Sequence, residues 1–345
     1  MTADHRAPDA LFHAIDQGAA PAPRQGERVL FLRAREAVGL QRWRGAGWHC
    51  AQTFRPLAAA LEQAGFTVAE PAPDARYDHV LALPPRQRDE ARAVLARAVR
   101  ACAPGGRVIA AMANDEGARS GEKDLAALAG LGGSLSKSHC RVFWTPPLDA
   151  PDESALLRDW LALDALRPIL DGRYVSRPGL FAWDRIDPAS ALLAAHLPAD
   201  LQGRVADLGA GWGYLAAELL ARCPGIVRLD LYEAEARALE AARRNLDGAR
   251  CAVALHWHDV TRGLVDRYDA IVSNPPFHRD RADDPGLGRA FIERAADALA
   301  DHGNLYLVAN RHLPYEATLD GRFADVAVLA GEGGFKVFRA RGVRR

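Results

Sequence analysis

The sequence predicts an α/β protein made of two tandem doubly wound domains, a duplication in which only the second copy keeps a ligand-binding loop. The length of 345 residues fits two domains. In the second half, an apolar run over 204–208 leads through a glycine-rich turn into a segment with helical spacing over 214–222. Strand, glycine turn and helix together are the usual start of a doubly wound unit. The first half repeats the order of the later elements but lacks the glycine turn.

The glycine turn follows the first strand of the second half. Gly209, Gly211 and Gly213 allow tight turning and let a ligand approach the backbone without a Cβ in the way. Spacing of this kind also occurs in nicotinamide sites, so Asp207 is the more informative residue. Its carboxylate would repel a pyrophosphate but would suit an ammonium group. S-adenosylmethionine (SAM) carries an ammonium and no phosphate, so the loop favours SAM, with a tight turn that binds nothing as the alternative.

Two further acids follow the next two predicted strands. Glu233 ends the run 229–233, where an acid can accept the two ribose hydroxyls of a nucleoside. Asp230 lies inside the same run, so its side chain should point elsewhere. Asp259 follows the strand over 251–257 and could accept the adenine amino group, although a solvated loop carboxylate is an equal alternative.

A second motif follows the strand predicted over 268–273. Asn274, Pro275, Pro276 and Phe277 stand at its carboxyl end, the edge where open α/β sheets bind ligands. The prolines fix the backbone, so the Asn274 side-chain oxygen and the Pro275 carbonyl form a pair of acceptors for a planar amino group. Phe277 could stack on the base that carries the amine. An ordinary proline turn is the alternative, and no metal is needed because a methyl sulfonium is already electrophilic.

These motifs together resemble class I SAM-dependent methyltransferases, and among them the bacterial rRNA guanine-N2 methyltransferases of the RsmC type. Nearly all of residues 174–345 takes part in the resemblance. The matching pieces are Pro178-Gly-Leu-Phe181, Asp187-Pro-Ala-Ser190, the Asp207 loop, Ser273-Asn-Pro-Pro-Phe-His278, Ala309-Asn310, Leu313-Pro-Tyr315 and Phe335-Lys-Val-Phe338. The family usually has Leu-Asp-x-Gly-Ser where this chain has Ile186-Asp-Pro-Ala-Ser190, a departure that concerns Pro188 and Ala189 only.

The resemblance implies a Rossmann-like seven-stranded SAM-binding domain that methylates the N2 amine of a guanine in 16S rRNA, during rRNA processing. Three other acceptors present a similar planar amine: a 23S rRNA guanine, an adenine N6 and a release-factor glutamine. A non-catalytic RNA-binding factor of ribosome assembly is a further alternative, and an intact Asp207 loop together with Asn274 argues against it.

The N-terminal half is predicted to be a degenerate methyltransferase-like domain without a cofactor site. Arg76-Tyr-Asp78 begins a strand that ends at Leu83-Pro-Pro85, as Arg267-Tyr-Asp269 begins the one that ends at Asn274. Leucine offers no acceptor to an amino group, so this copy cannot hold one. The resemblance implies a role in RNA binding or in folding support.

The domain boundary is predicted near residue 150. Three prolines in the stretch 145–151 indicate a stiff linker between a domain over 1–150 and the catalytic domain over 151–345. Ser154 is placed to cap a helix that runs to Leu166. Residues 151–185 then form this linker helix and a segment that covers the cofactor, with Phe181 against it.

Composition limits the possible partners and environment of the chain. The formal net charge is zero, so an RNA footprint must be local, and His278, Arg279 and Arg281, with Pro276, lie beside the active-site mouth. An odd set of five cysteines without a Cys-x-x-Cys pair fits a reducing cytoplasm and no metal site. No apolar run is long enough for a membrane span. We therefore expect a cytoplasmic monomer that binds rRNA or the small ribosomal subunit.

Overall fold

The computed structural model describes residues 3–44, 47–149, 154–276, 278–279, 282–283 and 285–345. It divides into two compact units. The first unit comprises Met1–Ala165 and Arg177–Gly179, and the second comprises Leu166–Ser176 and Leu180–Arg345.

The first unit contains one mixed sheet with helices on both faces. Its described elements, in order, are α1 (Ala3–Asp16), β1 (Val29–Leu32), a 3-10 helix (Gly39–Trp43), β2 (Trp48–Ala51), α2 (Arg55–Gln63), β3 (Thr67–Val68), β4 (Tyr77–Ala82), α3 (Arg88–Ala101), β5 (Cys102–Ala113), a 3-10 turn (Asn114–Glu116), α4 (Ala118–Ala129), β6 (Gly133–Lys137), β7 (Cys140–Trp144) and α5 (Ala155–Ala162). Among the described residues the sheet order is β3-β2-β1-β4-β5-β7-β6, and β7 runs antiparallel to both of its neighbours.

The second unit has the same architecture. Its described elements are β8 (Arg167–Ile169), β9 (Tyr174–Ser176), α6 (Pro188–His196), β10 (Gln202–Leu208), α7 (Tyr214–Arg222), β11 (Gly225–Glu233), α8 (Ala236–Asn245), β12 (Ala252–Trp257), a 3-10 turn (Val260–Arg262), β13 (Tyr268–Ser273), β14 (His278–Arg279), β15 (Ala282–Asp283), α9 (Pro285–Ala298), β16 (Leu299–Asn310), α10 (Glu316–Arg322), β17 (Phe323–Ala330) and β18 (Phe335–Val343). Over the described ranges its main sheet has the order β12-β11-β10-β13-β16-β18-β17, which is the order of the first unit.

Matching side-chain contacts in the two units agree with a duplication of one domain. In each, the aspartate that follows the first tyrosine of the fourth strand accepts a backbone N–H from the start of the central strand. The pairs are Asp78 with Arg28 (2.8 Å) and Asp269 with Arg204 (2.7 Å). The same two arginines lie over the tyrosine rings, Arg28 at 4.9 Å from Tyr77 and Arg204 at 5.7 Å from Tyr268. The repeat seen in the sequence is therefore also a repeat of local packing.

The α5 helix belongs to the first unit, although the sequence placed its residues in the catalytic domain. Ser154 caps it as expected, its Oγ accepting from the Leu157 N–H at 3.1 Å. The helix ends at Ala162 and not at Leu166. Leu157 and Trp160 are buried in the core beside α3, and Arg92 of α3 lies 4.8 Å from the Trp160 ring. This apolar face places the change between units after Ala165.

The central strands of the second unit are buried on both faces, as parallel sheets are. Val205 of β10 faces the core that contains Leu215 and Leu219 of α7, whereas Ala206 and Leu208 face the core on the other side. Full burial of a leucine side chain is worth about 1.5–3 kcal/mol. The loop that follows β10 is thus held by two rigid elements. The predicted bounds of α7 and β13 are confirmed.

In the part of the chain that the structure describes, no helix combines the length and apolar character needed to cross a membrane. The same residues contain no cluster of three or more His, Cys, Asp or Glu side chains able to hold a metal ion.

Candidate functional site

The glycine loop lies between β10 and α7 and depends on left-handed backbone at three positions. Gly209, Gly211 and Gly213 have φ values of 74°, 54° and 91°. At Gly211 an added Cβ would meet no atom within 4 Å, so this residue borders open space. The backbone N–H of Gly209 donates to the Tyr232 carbonyl at 2.8 Å, which ties the loop to the end of β11.

Asp207 lies directly behind this loop and is fully buried. Neither of its carboxylate oxygens has a hydrogen-bond partner of normal geometry among the described residues. Burial raises the pKa of Asp207 to about 8, the charge of Glu233 acts in the same direction, and the Ala216 N–H opposes both. An unpaired buried carboxylate is costly, so this site is suited to a cationic ligand group.

Glu233 ends β11 and holds the glycine loop through one carboxylate oxygen, while the other oxygen binds the backbone that follows β11. Oε2 accepts from the Gly211 N–H at 2.8 Å, and Oε1 accepts from the Glu235 N–H at 2.8 Å. Burial raises the pKa of Glu233, while these backbone donors act against that rise. Glu233 therefore fixes the backbone of the glycine loop, and its carboxylate also provides hydrogen-bond acceptors at the edge of that loop.

Asp230 points away from the loop, as the sequence predicted. It is fully buried and accepts from Arg228 Nε at 2.7 Å and Nη2 at 2.8 Å, and it lies 2.7 Å from His256 Nε2. Burial raises the pKa of Asp230, but the hydrogen bonds from Arg228 and His256 outweigh it and hold the pKa below its usual value. Asp230 is thus a paired structural carboxylate.

Asp259 follows β12 and begins a short 3-10 turn. Its Oδ1 accepts from the Thr261 N–H at 3.0 Å and from the Thr261 hydroxyl at 2.7 Å. The strands β12, β11 and β10 are neighbours in the sheet, so Asp259, Glu233 and Asp207 all lie at or close to the carboxyl ends of adjacent strands.

Asn274 follows β13 and is fixed by two side chains from the start of α6. Its Nδ2 donates to Asp187 Oδ2 at 2.9 Å and to Ser190 Oγ at 2.8 Å. A carboxylate can only accept, so these contacts identify the nitrogen of the amide and turn its carbonyl oxygen the other way. Oδ1 of Asn274 is left as the acceptor.

The glycine loop and Asn274, which are far apart in the sequence, line the same cleft. It is lined by Phe181, Ala182, Asp187, Ser190, Gly209, Ala210, Gly211, Trp212, Tyr214, Leu215 and Asn274. Phe181 is 62% exposed at its edge, whereas the preceding Leu180 is buried. The Trp212 Nε1 donates to the Ala182 carbonyl at 3.3 Å, which holds this segment against the loop.

The predicted substrate residues follow Asn274 along the chain. Phe277 and Arg281 lie outside the described residues, and the structure describes the backbone of His278 and Arg279 but not their side chains. Pro275 is buried and Pro276 is exposed beside Asn274.

Asp187 and Ser190 were given no individual role by sequence reasoning. The pattern Asp187-Pro-Ala-Ser190 does signal a helix start, because Asp is a good N-cap and Pro suits the first turn. Their contact with Asn274 joins residues 87 and 84 positions apart, which no local pattern shows.

The corresponding place in the first unit is filled by other side chains. Phe31 of β1 stands where Asp207 stands in β10, and its ring packs edge-on against Phe12 of α1 at 5.8 Å. Arg33, with φ of 53°, stands where the loop has Gly209.

That arginine is also held in place. Its Nη1 lies 2.5 Å from Oε1 of Glu90, a carboxylate that is 5% exposed. In the first unit, apolar packing and an ion pair therefore fill the position where the second unit has its glycine loop.

Comparison with known proteins gives matches over the second unit and over nearly the whole chain. The family model for the methyltransferase small domain matches residues 171–339. Ribosomal RNA small subunit methyltransferase C of Pseudomonas paraeruginosa is 33% identical over 305 residues, which cover 86% of this chain and 88% of that protein. The protein of the same name from Klebsiella pneumoniae is 33% identical over 274 residues, covering 79% and 78%.

A solved structure is similar over both units. It is the T. thermophilus 16S rRNA N2 G1207 methyltransferase, RsmC, in complex with AdoMet and guanosine. The TM-score is 0.80 at 26% identity, and the match covers 98% of this chain and 93% of that one.

Proposed function

Because the chain belongs to the ribosomal RNA small subunit methyltransferase C family, we propose that it transfers a methyl group from SAM to the N2 amine of a guanine in 16S rRNA. The observation that carries this proposal is the orientation of the Asn274 amide. Its nitrogen donates to Asp187 and Ser190, so its oxygen is the group that can accept a hydrogen bond from the amine to be methylated. The T. thermophilus enzyme was solved with AdoMet and guanosine, which supports both the cofactor and the base.

The residues present fit SAM. Asp207 supplies two buried oxygens without a partner of normal geometry among the described residues, which a ligand ammonium would satisfy. Gly211 borders open space, so the backbone can be approached closely. We assign Asp207 to the ammonium, Glu233 to the ribose hydroxyls and Asp259 to the adenine amine, with Gly209, Gly211, Gly213 and Phe181 around the ligand.

The protein's part in the reaction is orientation. The guanine amine is a weak nucleophile because its lone pair is delocalised into the ring. Asn274 Oδ1 and the Pro275 carbonyl hold its two hydrogens and turn the lone pair toward the methyl group, while Phe277 stacks on the base. Pro276, His278, Arg279 and Arg281 contact the RNA around the base, and a guanine in a paired stem must first be extruded.

When bound, SAM would supply an electrophilic methyl group: the bond from N2 to the methyl carbon would form as the carbon–sulfur bond breaks, and the sulfur would keep the electron pair. The methylated amine would then lose one proton to solvent. Asn274 and Pro275 accept hydrogen bonds while the new bond forms, so neither has to act as a strong base.

A label-transfer experiment tests this function. The full-length protein is incubated with methyl-labelled SAM and, separately, with 16S rRNA, 23S rRNA, small ribosomal subunits and a release factor. Label in 16S rRNA or the small subunit, mapped to a guanine, is the expected result. Label confined to 23S rRNA, to an adenine or to protein would point to one of the other planar amines, and the absence of label in all would leave only a role in RNA binding.

We expect Glu233→Ala to weaken SAM binding by about 1–3 kcal/mol, because it removes the acceptors for the ribose and frees the Gly211 N–H. Calorimetric titration with SAM measures the change. Asp230→Asn is the matched control, since Asp230 faces away from the loop, and its SAM affinity should stay within about twofold of the wild type. An equal loss in both variants would remove Glu233 from the ribose site.

We expect the full-length chain to bind one SAM, in the second unit. Phe31 and Arg33 occupy in the first unit the positions of Asp207 and Gly209, so that copy offers neither a carboxylate nor a free loop. Titration of the intact protein should give a stoichiometry of one, and the Glu233→Ala variant should bind SAM more weakly at that same site. A second site that survives in Glu233→Ala would contradict the degenerate-domain interpretation.

We also propose that the protein is a cytoplasmic monomer that acts on rRNA or the small subunit, with the first unit supporting folding or RNA binding.

A further inference from the structure

Asp187 connects the start of α6 to the end of β13. Its Oδ2 accepts from Asn274 Nδ2 at 2.9 Å, and Ser190 Oγ accepts from the same nitrogen at 2.8 Å. Two acceptors match the two hydrogens of the amide group. Because the amide group is planar, the two hydrogen bonds that fix Nδ2 also fix the direction of Oδ1.

The acceptor is itself held rigidly. Oδ2 of Asp187 also accepts the Ser190 N–H at 2.9 Å, which caps α6, and Pro188 fixes the first position of that helix. Ala189, Leu193 and Ala194 bury the helix in the core of the second unit. One carboxylate oxygen thus serves as both the helix cap and the anchor of Asn274.

We propose that Asp187, assisted by Ser190, is a positioning residue for methyl transfer that keeps the carbonyl oxygen of Asn274 toward the acceptor amine. The inference rests on the proposed function and goes beyond it, since it assigns a role to a residue that does not touch the base. A primary amide has two orientations related by a half turn. Without Asp187 the NH2 group of Asn274 can face the amine, donor against donor, and the acceptor is lost although the side chain remains.

Two substitutions of Asp187 separate this role from helix capping. Asp187→Ser retains a good N-cap residue but shortens the side chain that reaches Asn274. We expect its kcat to fall about tenfold, with the KM for SAM within about twofold and little change in Tm. Asp187→Asn keeps one oxygen able to accept both hydrogen bonds and should stay within about threefold of the wild type. Adding Ser190→Ala to Asp187→Ser should bring the rate near that of Asn274→Ala.

A double-mutant cycle provides the decisive comparison. In an Asn274→Ala background, Asp187→Ser should cause no further loss of kcat, because there is no amide left to orient. If Asp187 only supports the fold, the same fractional loss appears in both backgrounds, and that outcome overturns the proposal. Ser154→Ala, which removes the cap of α5, is the control and should leave kcat within about twofold in either background.

A spectroscopic test does not depend on activity. In protein labelled with 15N-asparagine, the side-chain NH2 signals of Asn274 are identified by their absence in Asn274→Ala. They should be protected from exchange in the wild type and in Asp187→Asn, and should lose that protection in Asp187→Ser. Unchanged protection in Asp187→Ser would refute the inference. If the wild type methylates no RNA, the proposed function fails, yet these signals still decide whether Asp187 orients the Asn274 amide.

Discussion

We expect Asn274→Ala to lower the rate of methyl transfer by about a hundredfold or more, comparable with the loss of one positioned polar group from other active sites. The substitution removes the oxygen that we propose as an acceptor for the guanine amine, and it leaves only the Pro275 carbonyl. The loss should fall on kcat, because the acceptors align the amine most strongly as it reacts. SAM affinity should change by less than about twofold, since Asn274 addresses the base. Single-turnover methylation and SAM titration measure the two quantities.

Two other asparagine variants sharpen the result. Asn274→Asp keeps an acceptor but places a carboxylate against Oδ2 of Asp187, where the amide nitrogen now donates. Like charges at that distance repel, so we expect this variant to be as slow as alanine at neutral pH. Asn245→Ala is the control: Asn245 binds the Val175 and Trp212 backbone, and its loss should affect stability more than kcat. Wild-type rates in Asn274→Ala would remove the residue from the mechanism.

Asp207→Asn should stabilise the ligand-free protein while it weakens SAM binding. The pKa of Asp207 is raised to about 8, from an ordinary 3.8. The folded state therefore holds a proton that the unfolded state has released, and the penalty grows as pH rises from about 4 to about 8. Four pKa units correspond to at most about 6 kcal/mol. A protonated carboxyl and an amide leave comparable polar groups unpaired in the same place, so we expect almost no gain near pH 4 and a gain of several kcal/mol, at most about 6, near pH 8.5.

Unfolding in urea at several pH values measures this gain, and SAM titration measures its cost. An amide cannot neutralise the ligand ammonium, so the SAM dissociation constant should rise about tenfold or more. Asp230→Asn is the control, and its effect on stability should have the opposite sign. The pKa of Asp230 is held low by Arg228 and His256, so this variant should lose stability above the ordinary pKa of aspartate, and the loss should shrink in acid. A destabilised Asp207→Asn with unchanged SAM affinity would show that the carboxylate is structural.

The sequence predicts much of the fold because its periodic segments and glycine turns act locally. The bounds of α7 and β13 are confirmed, as is the cap of α5 by Ser154. Asp230 faces away from the loop, because alternate residues of a strand point to opposite sides of the sheet. The helix before the second unit was assigned to the wrong unit. The unit to which this helix belongs depends on how Trp160 packs against α3, and no local sequence pattern shows that tertiary contact.

The site was predictable only in part, for a related reason. The motifs at Asp207 and Asn274 contain unusual residues at strand ends, and the sheet order brings these ends together. The orientation of the Asn274 amide depends on Asp187, which lies 87 positions away and looks like an ordinary helix cap. The loop-holding role of Glu233 likewise follows from a contact with Gly211 that only the folded chain creates.

Mass spectrometry of nucleosides can identify the atom that the protein methylates. Unmodified 16S rRNA is incubated with SAM and the full-length protein, digested to nucleosides and compared with a reaction run with Asn274→Ala. We expect N2-methylguanosine at one guanine with the wild type and at least about a hundredfold slower formation with the variant. A methyl group at any other position of the bases, or equal yields from the two proteins, would contradict this expectation.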